Sequence, residues 1–335
     1  MKTDWRSWFQ GTSLIWPLLA LSALLLFNLI FAPRFFQIQI QDGHLYGTLV
    51  DILNQGSKVM LLAIGMTLVI ASGGVDLSVG SIMAIAGAIA AKMVVLTALP
   101  FALIITVALG VSTLAGACNG VLVARAGIQP IVATLILMVA GRGVGMLITD
   151  GQIITFEKPV FVYLGNGHFL GLPFTVTIVL VILGCTLLAT RRTAAGLFLE
   201  SVGGNETASR YAGVNAVLVK TLVYAFSGFC AGVAGLIATS NIKAADSSSV
   251  GEMMELDAIF AVVVGGTALT GGRFTLLGSI VGALLIQTLT TTMYNLGVPP
   301  TAAPVPKAIV IVAVCLLQSG PFRAQLRSLA GRRAA

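Results

Sequence analysis

Chemistry-bearing residues are sparse in this chain. Its 335 residues include 12 Asp and Glu, 2 His and 4 Cys. Asp4, Asp42, Asp51, Asp76, Asp150, Glu157, Glu200, Glu206, Asp246, Glu252, Glu255 and Asp257 all fall in polar stretches or near the ends of apolar runs. A proton relay through a membrane needs ionisable groups inside it, and this pattern offers little there. Sodium coupling is harder to exclude, because backbone carbonyls can hold that ion. His44 and His168 stand far apart with no ligand spacing, so no metal site is expected. Cys118, Cys185, Cys230 and Cys315 form no CxxC pair. They are expected as free thiols buried among apolar side chains. No GxSxG, HExxH or GxxxxGK[ST] is present. No catalytic residue and no cofactor is therefore assigned to the chain.

The polar residues that stand out do so by place. At Gly73-Gly74-Val75-Asp76-Leu77-Ser78 one apolar run breaks and another begins, with Asp76 or Ser78 as the candidate N-cap. A broken helix is tolerated in a membrane only where protein or a water-filled cavity satisfies its backbone. Asp76 and Ser78 are thus candidates for lining a path. Asn119 and Gln129 are further polar candidates near one end of it. Each could equally serve a plain interhelical hydrogen bond. Arg142 lies within an apolar run and must face protein or water. It is either a donor along the path or, the favoured reading, a structural arginine.

The elements that position these residues follow from composition. The chain is 57% hydrophobic and 9% charged, against about 45–50% and 25% in soluble domains. Mean hydropathy is +1.00. So few charges cannot cover a water-facing surface. The long continuous apolar runs also exclude the alternation of a membrane barrel. An all-α polytopic membrane protein is expected, a single domain over residues 1–335 with about ten spans. These are placed at 13–32, 51–72, 78–98, 101–124, 128–148, 171–189, 221–240, 256–270, 275–293 and 304–319. The eighth and tenth are short enough to be half-helices or tilted segments. The first is too long for a signal-peptide core and is read as a retained span.

Basic residues orient the chain, since they collect on the cytoplasmic side. Arg125, Arg191, Arg192, Arg210, Lys220 and Arg273 fall on one side together with the basic residues of both ends. Arg34, Lys158 and Lys243 fall on the other. Both termini are therefore expected in the cytoplasm. The net charge of +7 is spread out and predicts no nucleic-acid partner. The longest polar stretch on the cytoplasmic side is 191–220, expected as short helices broken at Gly203–Gly204 and Gly213. A weak repeat aligns GGVDLSVGSI (Gly73–Ile82) with GGRFTLLGSI (Gly271–Ile280). Internal repeats are common in transporters, with substrate sites where they meet; the alternative is that Gly-rich turns before apolar helices look alike by chance.

These same residues resemble a known family. Leu61–Ala84, Asn119–Gly143, Gly203–Gly228 and Glu255–Leu285 are similar, in order and spacing, to blocks of the permease subunits of bacterial ABC importers for ribose, galactose, xylose and related sugars. The similarity runs from about residue 50 to 318. Gln41–Gln55 and Ile148–Phe156 are most similar to the galactofuranose members. The resemblance implies a multi-pass inner-membrane permease that forms a homo- or heterodimer with a second permease chain. It also implies a separate ATP-binding subunit and a periplasmic sugar-binding protein. Glu200, Gly203, Gly204, Asn205, Glu206, Arg210 and Gly213 are then the residues expected to meet the ATP-binding subunit. An ion-gradient-driven carrier or channel is the alternative.

Overall fold

The computed structural model describes residues 14–41 and 44–318. Apolar runs become helices because a backbone in hydrocarbon must satisfy its own hydrogen bonds. Thirteen α-helices are described. They are α1 (Ile15–Phe31), α2 (Thr48–Ala71), α3 (Val79–Leu96), α4 (Phe101–Ala124), α5 (Pro130–Ile148), α6 (Pro159–Asn166), α7 (Phe174–Arg192), α8 (Ala195–Gly204), α9 (Glu206–Tyr211), α10 (Ala216–Ile242), α11 (Met254–Val264), α12 (Leu276–Asn295) and α13 (Pro304–Gln318).

A helix stands at each of the ten positions expected to span. Seven of them (α2, α3, α4, α5, α7, α10 and α12) are long and apolar enough to cross a membrane, while α1 and α13 are shorter. Helix α11 has 11 residues. At 1.5 Å per residue it is about 16 Å long, half of a hydrocarbon core of about 30 Å. The two chain ends, including the start of the expected first span at Ser13, lie outside the described residues.

Strands appear where only loops were expected. Three two-stranded ribbons are described: β1 (Gln39–Gln41) with β2 (His44–Tyr46), β3 (Ile154–Thr155) with β6 (Ala244–Ala245), and β4 (His168–Phe169) with β5 (Leu172–Pro173). The β3–β6 pair, Ile154 opposite Ala245, ties together two connections far apart in sequence. The cysteine expectation also needs correction. All four are free, but Cys118 and Cys185 are exposed and only Cys230 is fully buried. A small apolar thiol is as acceptable on a lipid-facing side as in the interior, so composition could not sort them.

Helix α10 is the central post and packs on α2, α3 and α4. Small residues let these backbones touch. A Cβ on Gly116 would lie 2.3 Å from the Tyr224 carbonyl oxygen, and one on Gly228 2.4 Å from that of Ser112. Gly65 of α2 packs on Ser227, and Gly235 packs on Met83 of α3. With lipid as apolar as the helices, close packing of this kind supplies much of their association.

The repeated segments meet in space. Gly73 and Gly271 both have positive φ, +82° and +84°, which a glycine adopts without strain. A Cβ on Gly271 would lie 3.0 Å from the Gly73 Cα. Helices α3 and α12 therefore start from one junction. Helix α11 runs between them. The carbonyl of Gly251, just before it, would meet a Cβ on Gly80 at 2.3 Å. The carbonyl of Gly265, at its end, would meet one on Gly278 at 2.0 Å. Gly80 and Gly278 are matching positions of the repeat.

Replacing Gly228 by Leu should separate α4 from α10, at a cost of about 3 kcal/mol or more. Gly110→Leu, where an added Cβ meets nothing within 4 Å, should be neutral. Thermal unfolding of the two variants in detergent checks this.

Candidate translocation and coupling site

The α2–α3 break carries the densest buried polar group among the described residues. Asp76 and Ser78 are fully buried, and Asn119 is 1% exposed. Neither Asp76 nor Ser78 caps α3 through its side chain, contrary to expectation. Ser78 occupies the N-cap position without a side-chain cap bond. Asp76 Oδ1 instead accepts from the Ser78 backbone N–H at 3.0 Å and from its hydroxyl at 2.6 Å. Asp76 Oδ2 accepts from the Ser227 hydroxyl of α10 at 2.8 Å. Asn119 of α4 donates from Nδ2 to Ser78 Oγ at 2.9 Å, and the Tyr224 hydroxyl donates to the Val75 carbonyl at 3.3 Å. One carboxylate thus joins the break to α10, and through Ser78 to α4.

Not every expected path residue joins this group. Gln129 is exposed at the N-cap position of α5, where Pro130 starts the helix and holds the residue before it in extended backbone. Arg142 is half-buried on α5 and donates to the carbonyls of Ser247 (3.1 Å) and Val250 (2.5 Å). It satisfies an irregular connection just before α11, which is the structural reading. The sequence reading missed Ser227 and Tyr224. Their spacing by three in an apolar run was a signal, but nothing in the run says which break they serve. It also missed the Lys307–Asp257 pair, Nζ to Oδ2 2.9 Å, between α13 and α11.

The segment 191–220 folds as two short helices, as expected, but they part elsewhere. The break is at Asn205, while Gly203 and Gly204 complete the last turn of α8. Asn205 has extended backbone, and its side chain accepts from the Ala208 N–H to cap α9. A side-chain cap decides the break, and glycine pairs alone do not. Gly213, with φ of +85°, follows α9. Asn215 then caps α10 by accepting from Leu218 N–H.

Gly203 and Gly204 have opposite surroundings. A Cβ on Gly203 would strike the Ala71 carbonyl and lie 2.7 Å from Gly272 N. The Gly272 N–H itself donates to the Ala71 carbonyl at 2.9 Å. The end of α8 therefore rests on the junction of the two repeats. A Cβ on Gly204 meets nothing within 4 Å. Glu200, Gly204, Asn205, Arg210 and Gly213 are exposed. Glu206 accepts from Arg210 at 2.6 Å and from Lys220 at 2.5 Å, fastening α9 to the start of α10. The Lys220 hydrogen bond first, and Arg210 after it, hold the Glu206 carboxyl below its ordinary value of 4.5.

A cavity of about 480 Å³ opens between α2, α7, α8 and α10. Its walls, such as Leu199, Leu222 and Phe226, are apolar. It suits an alkyl chain far better than a hydroxylated solute.

Comparison with known proteins decides the family. Residues 48–317 match the model of the branched-chain amino acid transport system / permease component family. The chain belongs to that family. It is 49% identical to the galactofuranose transporter permease protein YtfT of Escherichia coli K12, over 95% of this chain and 94% of that one. It is 39% identical to the fructose import permease protein FruF of Bifidobacterium longum, over 92% and 88% of the two chains. It is 38% identical to the ribose import permease protein RbsC of Haemophilus influenzae, over 85% and 86%. No solved structure matches.

Because the Glu206 carboxyl is held low, its ion pairs stabilise the fold fully above pH 4.5 and that contribution is lost as pH falls through the lower folded value. Protection of the α9 amides, measured against their intrinsic exchange at each pH, should fall on acidification in the parent chain. In Glu206→Gln it should be low already at neutral pH and change little with acid.

Proposed function

We propose that this chain is the permease subunit of an ATP-driven importer that carries a monosaccharide across the bacterial inner membrane. One observation carries the reading: relatives matched along nearly their whole length are sugar import permeases. Galactofuranose is the leading substrate, with ribose- or galactose-like sugars next. The ATP-binding subunit, a second permease chain and a periplasmic sugar-binding protein are its partners. The second chain makes a homodimer or a heterodimer. Ten crossings, some of them short or broken, leave both termini in the cytoplasm.

The segment α8–Asn205–α9 is the element offered to the ATP-binding subunit. Tyr211 is 89% exposed and Leu197 68% exposed on it. Large apolar side chains grouped on a water-facing segment mark a contact surface. Glu200, Gly204, Asn205 and Arg210 are exposed residues between them in sequence, and Glu206 holds α9 in place. Gly203 supports a role in transmission, since its backbone lies against the α2–α3 break and the Gly271–Gly272 turn together. Motion of α8 would be delivered to both repeats at once. Asp76, Ser78 and Asn119, buried and bonded to one another, would keep the break rigid enough to respond, and would line the path in a state in which the break opens to it. Arg142 would brace the connection before α11, and Gln129 would face the cytoplasmic side.

Reconstitution in liposomes tests the reading. Uptake of labelled sugar should require ATP, the ATP-binding subunit and the binding protein together. Uptake by the purified single chain without ATP would replace the reading by a gradient-driven carrier or channel. Gly204→Trp should assemble and melt like the parent, since its site is open. It should retain ATP hydrolysis while losing sugar uptake about tenfold, an effect on the order of 1.4 kcal/mol in coupling. Normal uptake by this variant would move the contact elsewhere on the chain.

A further inference from the structure

Helix α2 has two unlike halves. From Val59 to Ala71 every residue is buried, whereas Asp51 and Gln55 are exposed and Lys58 is half-buried. Asp51, Gln55, Lys58, Leu62 and Met66 follow one another at four, three, four and four residues, which places them on one face. That face is polar and open at its start. It ends on Leu62 and Met66, which are 1% and 0% exposed. Helix α12 lies alongside at the same height. A Cβ on Gly56 would lie 3.3 Å from both Cβ and Cγ of Gln287. Gln287 Nε2 in turn points to Thr291 Oγ1 at 3.5 Å, and both residues are partly exposed.

Lys58 makes this face unusual. It lies inside a helix long and apolar enough to cross a membrane. Its ammonium donates to Gln55 Oε1 at 2.5 Å, and among the described residues no carboxylate lies within ion-pair distance of it. An ammonium inside a span faces protein, a counter-charge or a water-filled cavity. The other exposed side chains of the spans are of another kind, for example Leu147, Val139 and Leu180. Lys58 also stands 13 positions before Ala71, about 20 Å along the helix from the α8 junction at 1.5 Å per residue. The polar face is therefore at the end of the bundle away from the coupling segment.

We infer that Asp51, Gln55 and Lys58 of α2, with Gln287 and Thr291 of α12, form the wall of a water-filled vestibule that receives the monosaccharide from the side opposite α8. This rests on the sugar-importer reading for the identity of its occupant. Amide, hydroxyl, ammonium and carboxylate groups together offer the mixed donors and acceptors that a ring of sugar hydroxyls needs. Leu62 and Met66, which continue the same face, are covered by protein, so the wet stretch ends above them.

Gln55, Lys58 and Gln287 are replaced by Cys one at a time in the full transporter, with Leu180→Cys as the lipid-facing control. A membrane-impermeant, quaternary-ammonium methanethiosulfonate is added from the binding-protein side, and labelling is counted above that of the parent chain. The three vestibule positions should label about tenfold faster than Leu180→Cys, and sugar-loaded binding protein should slow them. Lys58→Met should lower uptake about tenfold, and Lys58→Arg should restore most of it. Labelling at the rate of the lipid-facing control, in variants that still take up sugar, would overturn the vestibule. So would unaltered uptake by Lys58→Met. If the parent shows no ATP-driven uptake, the importer reading falls by itself. The labelling rates still decide whether the wall is wet.

Discussion

The close approach of backbones around α10 is the constraint on which the other arrangements depend. Where Gly116 faces Gly228 and Gly65 faces Ser227, helices meet without intervening side chains. Only at that separation can short side chains bridge them. The Ser227 hydroxyl reaches Asp76, and Asn119 reaches Ser78, because α4, α10 and the α2–α3 break are already in contact. In hydrocarbon there is no hydrophobic force to tighten a loose seam. Glycine spacing therefore sets the geometry, and the hydrogen bonds lock it.

The same logic places a break inside the bundle. An interrupted helix exposes backbone groups that must find partners. At this break the Ala71 carbonyl accepts from the Gly272 N–H of the matching turn and the Val75 carbonyl from the Tyr224 hydroxyl, while the end of α8 packs against both turns. One junction thus serves two repeats and the polar segment beneath them. The carboxylate of Asp76 is tolerated without a cation because two hydroxyls and a backbone N–H already satisfy it.

Much of the fold was legible in sequence because a membrane leaves few choices. Runs of apolar residues had to become helices, and a helix stands at every expected position. Whether each crosses was less legible, since an apolar run does not say how long its helix will be, and α11 has only 11 residues. The break at Asp76 was readable from its glycines and polar residues. Its partners on α10 were not, because Ser227 and Tyr224 gain meaning only when α10 is laid against that break. Asn205 shows the reverse problem. Composition pointed to Gly203 and Gly204, but a side chain able to cap the next helix determined where the chain turns. Gln129 was a candidate for the path by its polarity and place, but it stands exposed at the N-cap position of α5.

Helix α11 has a consequence for how the molecule can move. Its start and its end lie near Gly80 and Gly278, matching positions of the weak repeat, and Gly282 of α12 packs on the Ala261 carbonyl of α11. Helix α11 is therefore seated along α12 and not merely at its tip. The two can only move as one body. Any change of shape between the start of α3 and that body falls on the close contact of Gly251 with Gly80.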